Sequence, residues 1–157
     1  MGGAGAPDLS GDGSGLRVAI IAGSWHQGII DGMIAGAEQS LLESGAEQVL
    51  FRVGGAFELP LAAQAALRAG YDAAVCLGVI VRGGTPHFEY VSSAVTEGLT
   101  RVALDESKPV GFGILTVDTE QQAFDRSGLP GSQESKGQEA AEAALQVAVL
   151  ARTIRAS

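Results

Sequence analysis

The sequence predicts a three-layer α/β/α sandwich built on a four-stranded parallel sheet, and three observations carry that expectation. Four short runs, Arg17–Ala22, Val49–Val53, Ala73–Val81 and Pro109–Thr116, are close to continuously apolar rather than alternating. Strands buried on both faces of a parallel sheet read this way. Between and after them lie longer segments with apolar residues at helical spacing. The resulting order, β-α-β-α-β-α-β-α-α, calls for right-handed crossovers with helices on both faces of the sheet. A chain of 157 residues suits one domain, and 46% hydrophobic content with 23 glycines suits closely packed layers. No internal repeat or second domain is visible.

Residues 1–15 are rich in Gly, Ala, Ser and Asp, with Pro7 among them, and read as a flexible N-terminal arm that could order across a neighbouring subunit. Residues 16–157 form the single domain. After the first strand, Gly23–Gly28 is a loop, and a helix then runs to about Ser44 with Ile30, Met33, Ile34, Ala37 and Leu41 along one face and Gly45 ending it. The second strand leads through Gly54–Glu58 to a helix opened by Leu59-Pro60 and reaching about Ala69. The third strand is followed by a helix from Pro86 to about Asp105, with a stripe of Phe88, Val91, Val95, Leu99 and Val102. After the fourth strand, Thr119 and Gln122 have the spacing of a capping box for a short helix to about Arg126. A polar break, Ser127–Ser135, precedes the last helix, from about Lys136 to Ile154. Ala140, Ala143, Val147, Leu150 and Ile154 follow one face of it, and Ala144, Ala148 and Ala151 widen that face. So many alanines on a long helix suggest close packing against another helix.

The stretch with the most chemistry is Cys76–Tyr90. Arg82-Gly83-Gly84-Thr85 ends the third strand, Thr85 is expected as N-cap and Pro86 as first residue of the next helix, and His87 falls in its first turn. Two glycines let backbone N–H groups approach a ligand, and the helix start adds free donors and the positive end of a dipole, so the segment suits an anion. The same residues also spell an ordinary strand-to-helix turn. Neither a Walker A loop nor the G-x-G-x-x-G spacing is present. Trp25, the sole tryptophan, lies on the loop after a strand's C-terminal end, where open parallel sheets bind ligands; it reads as a stacking platform or as packing. Glu58 precedes a helix and reads as a dipole-favoured surface residue or as an acceptor for hydroxyl or ring N–H groups. Phe112 sits between two strand glycines, a pattern that marks close approach of a ligand or backbone. Arg126 and Lys136 bracket the polar break and by themselves read as surface charges.

Composition limits the function classes. A net charge of −8 argues against a nucleic-acid or anionic-membrane surface, so a phosphate site must rely on a few local donors. The lone Cys76 forms no intrachain disulfide, and no apolar run reaches membrane-spanning length or resembles a signal peptide, so a cytoplasmic protein is expected. A generic nucleotide-binding or receiver-like module is disfavoured, because no acidic cluster follows the first strand and Trp25 would go unexplained.

Taken together, Gly55–Pro60, Val79–Val91, Gly111–Thr116, Asp125–Gly128 and Lys136-Gly137 resemble the lumazine synthase family, in order and register from about Arg17 to Arg155. The Trp25-His26 pair and the length of the break before Lys136 are most similar to actinobacterial, mycobacterial-type members. The resemblance implies a flavodoxin-like fold, pentameric assembly with sites between subunits, and no metal or organic cofactor. It implies condensation of 5-amino-6-(D-ribitylamino)uracil with 3,4-dihydroxy-2-butanone 4-phosphate, the penultimate step of riboflavin synthesis. By the same resemblance Gly83, Gly84 and Thr85 form the phosphate loop, completed by Arg126 of a neighbour, and His87 is the general acid/base. Trp25 stacks on the pyrimidine where many members have Phe. Ala56, Phe57 and Glu58 hold the ribityl chain and ring edge, Val79, Ile80 and Val81 give backbone contacts, and Phe112 and Lys136 reach in from the neighbour. Gly84 stands where Ala or Gln is common, and Ser92 where many members have Cys. The arm and the long break favour a pentamer over a sixty-subunit shell. A non-catalytic flavin-binding or storage protein on the same scaffold is the alternative; it would be expected to lose His87 or the phosphate partners, and all are present here.

Overall fold

The structure, a computed structural model, describes residues 11–157. Strand β1 (Arg17–Ala22) is followed by α1 (Gln27–Ser44), β2 (Glu47–Arg52), a single 3-10 turn at Ala56–Glu58, α2 (Leu59–Arg68), β3 (Ala73–Val81), α3 (His87–Glu106), β4 (Val110–Val117), α4 (Glu120–Asp125) and α5 (Lys136–Ala156). All strand pairs are parallel, in the order β2-β1-β3-β4. The two central strands are those whose sequences are most continuously apolar, because both of their faces are covered. Along them the side chains alternate between two cores. Val18, Ile20, Val75 and Leu77 pack with α1 and α5, while Ala19, Ile21, Ala74 and Cys76 pack with α2 and α3.

The expected α1 stripe is buried in full, and Gly45 caps the helix in the left-handed region at φ 83°. Several boundaries differ from expectation. Strand β2 starts at Glu47 and lies at the sheet edge, with Val49, Leu50 and Phe51 half-exposed because no helix of this subunit covers them fully. Helix α3 begins at His87, with Pro86 as its cap, so Pro86 is not its first residue; the Thr85 hydroxyl instead accepts a long hydrogen bond from His87 N, at 3.4 Å. Of the α3 stripe, Val95, Leu99 and Val102 are buried and Phe88 and Val91 are partly so. Thr119 caps α4 through Gln122 N as expected, but the Gln122 side chain reaches back one residue further, to Asp118 N at 2.7 Å.

The largest difference lies in α5. Its inward face is Gly137, Ala140, Ala141, Ala144, Leu145 and Ala148, while Val147, Leu150 and Ile154 are exposed on this subunit. Close helix packing is present, against α1: a Cβ on Gly137 would lie 1.9 Å from Met33 O, and a Cβ on Gly36 would lie 2.5 Å from Ser135 Oγ. The strand glycines around Phe112 serve the same layer, since a Cβ on Gly111 would meet Ala140 O at 2.4 Å.

Of the segment read as an N-terminal arm, residues 1–10 lie outside the described residues. Residues 11–15 are tied down: Gly13 N donates to Ser44 O at 2.8 Å, and Arg152 donates from Nη1 to Ser14 O and from Nη2 to Asp12 O. No described helix is long and apolar enough to cross a membrane.

Candidate active site

The crossover from β1 to β2 and the path from β2 to β3 place these strands on opposite sides of β1. An open parallel sheet forms a crevice at such a reversal, beyond the carboxyl ends of its strands. Here the crevice is a cleft of 730 Å³, lined from four stretches distant in sequence: Trp25 and His26 after β1, Gly55–Glu58 after β2, Val79–Val81 at the end of β3, and His87, Tyr90 and Val91 in α3. Every one of Trp25, Ala56, Phe57, Glu58, Val79, Ile80, Val81 and His87, singled out in the sequence, contributes to this lining.

Local hydrogen bonds hold these residues in place. Ser24 ties the first loop to the second, through N to Gly54 O and through Oγ to Val53 O. Arg52 braces the same loop, donating to Gly23 O at 2.9 Å and to Gln27 Oε1 at 2.8 Å. Trp25 is thereby presented to the cleft with 69% of its surface exposed. A Cβ on Gly55 would stand 3.4 Å from the indole, so the ring lies directly against the glycine backbone. Glu58 accepts from Gly55 N at 2.8 Å through Oε1, which orients the carboxylate and leaves its second oxygen for a ligand. Phe57 adds a second exposed aromatic face. The cleft is thus apolar and aromatic, with one oriented carboxylate and imidazoles, as a site for a planar heterocycle carrying polar groups should be.

The Gly83–Gly84–Thr85 turn joins two lining residues, Val81 and His87. Neither glycine has positive φ, and a Cβ on either would meet nothing within 4 Å. Within the subunit neither the backbone conformation nor the packing demands glycine here. Arg82, just before the turn, is engaged by Asp118 and Glu89. Its guanidinium holds the Glu89 carboxyl below the usual carboxylate range, chiefly by a direct hydrogen bond. Burial pushes the Cys76 thiol up to about 12, so it is a packed side chain and not a nucleophile.

Phe112, Arg126 and Lys136 do not join this cleft. Phe112 pairs with Cys76 in the β3–β4 register, five positions before Val81, and so lies about 17 Å below the carboxyl edge. Arg126 caps α4, donating to Gln122 O at 2.8 Å with Glu134 at 3.6 Å. The polar break is a closed loop, pinned by the Ser127–Ser135 bridge, and it brings Lys136 N to 2.9 Å from Arg126 O. The backbones of two basic residues that nine positions separate in sequence are therefore paired. Among the described residues, no Lys or Arg lines the cleft of the subunit itself.

Sequence reasoning passed over His26, Gly55, Tyr90 and Val91 as lining residues. Tyr90 had a signal, since it stands three residues after His87 and so shares its helix face. His26 caps α1 in the left-handed region, at φ 57°, with Nδ1 3.6 Å from Glu120 Oε1. Among the described residues, no three His, Cys, Asp or Glu side chains are grouped as a metal site would require.

Residues 15–152 match the profile of the family described as 6,7-dimethyl-8-ribityllumazine synthase. The chain is 62% identical to the 6,7-dimethyl-8-ribityllumazine synthase of Leifsonia xyli subsp. xyli over 157 residues, covering 99% of each chain. It is 58% identical to that of Clavibacter michiganensis subsp. michiganensis, again over 99% of each. The similarity to the Streptomyces coelicolor protein of the same name is 51% over 156 residues, 98% of this chain and 97% of the relative.

Proposed function

The chain belongs to the 6,7-dimethyl-8-ribityllumazine synthase family, and from that premise we propose how its cleft and loops divide the work of the reaction. The enzyme condenses 5-amino-6-(D-ribitylamino)uracil with 3,4-dihydroxy-2-butanone 4-phosphate, releasing water and inorganic phosphate, in riboflavin biosynthesis. The observation that carries the assignment of residues is the convergence of Trp25, the Ala56–Glu58 turn, the end of β3 and His87 on one cleft beside an unstrained, unobstructed glycine turn.

In this reading Trp25 stacks on the pyrimidine, while the free carboxylate oxygen of Glu58 and the Ala56–Phe57 backbone take the ribityl chain and ring edge. Val79, Ile80 and Val81 supply apolar wall and backbone contacts. Gly83, Gly84 and Thr85 receive the phosphate of the second substrate, which sets its ketone against the pyrimidine amine. Orientation then replaces a bimolecular encounter. His87, next to both substrates, moves protons during imine formation, phosphate loss and ring closure. No nucleophile is needed, because the substrate brings its own amine.

A phosphate dianion in this cleft needs a cation, and the described residues lining it include no Lys or Arg. Arg126 and Lys136, held together by the closed loop, suit that role from a neighbouring subunit, with Phe112 alongside. This favours a closed ring of subunits, a pentamer, over an independent monomer. The half-exposed apolar edge strand β2 supports association as well.

Mixing both substrates with the purified protein should produce lumazine absorbance and fluorescence faster than a protein-free control, and Gly84→Asp should suppress it by placing a carboxylate in the phosphate loop. A folded, oligomeric protein no faster than the control would favour a flavin-binding or storage role.

A further inference from the structure

Arg82 is the cation nearest in sequence to the proposed phosphate loop, yet its side chain is already committed. Nε donates to Asp118 Oδ1 at 2.8 Å, Nη1 donates to Glu89 Oε1, and the guanidinium carbon sits 4.3 Å from the centre of the Phe88 ring. Its backbone N donates to Val117 O at 2.8 Å. One residue therefore fastens three pieces: the end of β3, the end of β4 through Asp118, and the first turn of α3 through Phe88 and Glu89. Between the first and third of these runs the Gly83–Gly84–Thr85 turn. Nothing in the subunit packs against the Cβ positions of its glycines, and paired glycines have the widest rotational freedom of any backbone. The shape of such a turn is set by where its two ends are held.

We infer that Arg82 is a positioning residue for the substrate phosphate, a strut that fixes both ends of the Gly83–Thr85 turn without touching the phosphate itself. The inference rests on reading that turn as the phosphate site. Electrostatics alone argues against placing this cluster here, since two carboxylates facing one guanidinium leave an excess negative charge beside a dianion. What the cluster supplies is geometry: a planar fork that serves two carboxylates at once while stacking on an aromatic ring, which a lysine cannot reproduce.

Geometry and charge predict opposite signs for one pair of variants. Arg82→Gln removes a positive charge and Asp118→Asn removes a negative one, and both side chains are about half exposed, so neither change disturbs a core. If Arg82 is a strut, both variants raise the Michaelis constant for the phosphorylated ketone, by about tenfold. The constant for the ribitylaminouracil stays at the parent value, and Arg82→Lys fails to restore binding. If Arg82 acts through its field, Asp118→Asn lowers the constant and Arg82→Lys resembles the parent; that result overturns the inference, as does no change in either variant. Gly84→Asp, measured in parallel, separates the two levels of the argument. Should it raise the constant while the strut variants do not, only the strut falls; should it too have no effect, the turn is not the phosphate site and both readings fall.

Discussion

If His87 moves protons in the reaction, as proposed, its contribution is proton transfer on top of substrate alignment. Removing it leaves the aromatic wall, the Glu58 carboxylate and the Gly83–Thr85 turn in place. His87→Ala should therefore lower turnover by about a hundredfold, the low end for general acid/base catalysis, with little change in substrate binding. Separate measurement of kcat and of substrate dissociation constants checks this, and a parental kcat would remove His87 from the proton path. Glu89 sets a second expectation at the same scale. Its carboxyl is held below the ordinary 4.5, chiefly by the hydrogen bond from Arg82. A depressed carboxyl contributes its pairing fully above that ordinary value and loses it as pH falls through the lower folded value. The Arg82–Glu89 pair is thus charged throughout neutral pH. The ratio of ketone Michaelis constants between Arg82→Gln and the parent should stay constant from about pH 6 to 8. A ratio that drifted in steady-state assays across that window would mean that another titrating group controls the loop.

Helices α1 and α5 show where the sequence was readable and where it was not. The α1 stripe is apolar on one side and polar on the other, so its inward face follows from periodicity alone. Helix α5 has a polar side, with Gln138, Glu142 and Gln146, but its apolar arc is broader than one packing face. Periodicity then fits Val147, Leu150 and Ile154 as well as it fits Ala141 and Leu145, and only the tertiary structure shows that the small side chains go inward. The reason is the closeness of the α1–α5 crossing, which admits little beyond alanine. Gly36 was one signal of that closeness, since a Cβ there would lie 2.5 Å from Ser135 Oγ and 3.2 Å from Gln138 N at the start of α5. Gly137 sits opposite, and its need for hydrogen in place of a methyl arises from Met33 O, a residue over a hundred positions away. No local pattern could report that. The candidate site was more legible, because the ends of parallel strands are where sequence motifs and crevice coincide; what it lacked was the side of α3 carrying Tyr90. The two kinds of glycine predict contrasting stability. Gly137→Ala pushes a methyl into backbone, which cannot swing aside, and should cost about 3 kcal/mol, a drop of roughly 10 °C in melting temperature. Gly83→Ala meets open space and should change stability by less than about 0.5 kcal/mol while weakening the phosphorylated substrate. Thermal melts of both variants beside ketone kinetics would expose an error if Gly83→Ala melted as low as Gly137→Ala.

At the scale of the whole molecule, the question is whether one subunit is ever a complete catalyst. Among the described residues the cleft holds His87 but no Lys or Arg, and Arg126 with Lys136 stands elsewhere on the same chain. If each site takes its cleft from one subunit and its phosphate-binding arginine from the next, two different inactive variants can repair one another. His87→Ala spoils every cleft but keeps every arginine; Arg126→Ala does the reverse. In rings assembled from an equal mixture, a site is intact when an Arg126→Ala subunit supplies the cleft and a His87→Ala subunit supplies the arginine. Random assembly gives that arrangement at about a quarter of the sites, so the mixture should regain about a quarter of parental activity. Co-expression of the two variants, or refolding them together, followed by the lumazine fluorescence assay, makes the measurement, with each variant assembled alone as the blank. A site built within one subunit would give no recovery at any mixing ratio, because every cleft would carry one defect or the other. Recovery well above a quarter would point instead to a residue whose loss only partly disables its site. The value itself, and not the mere presence of activity, therefore tests whether the missing cation comes from next door.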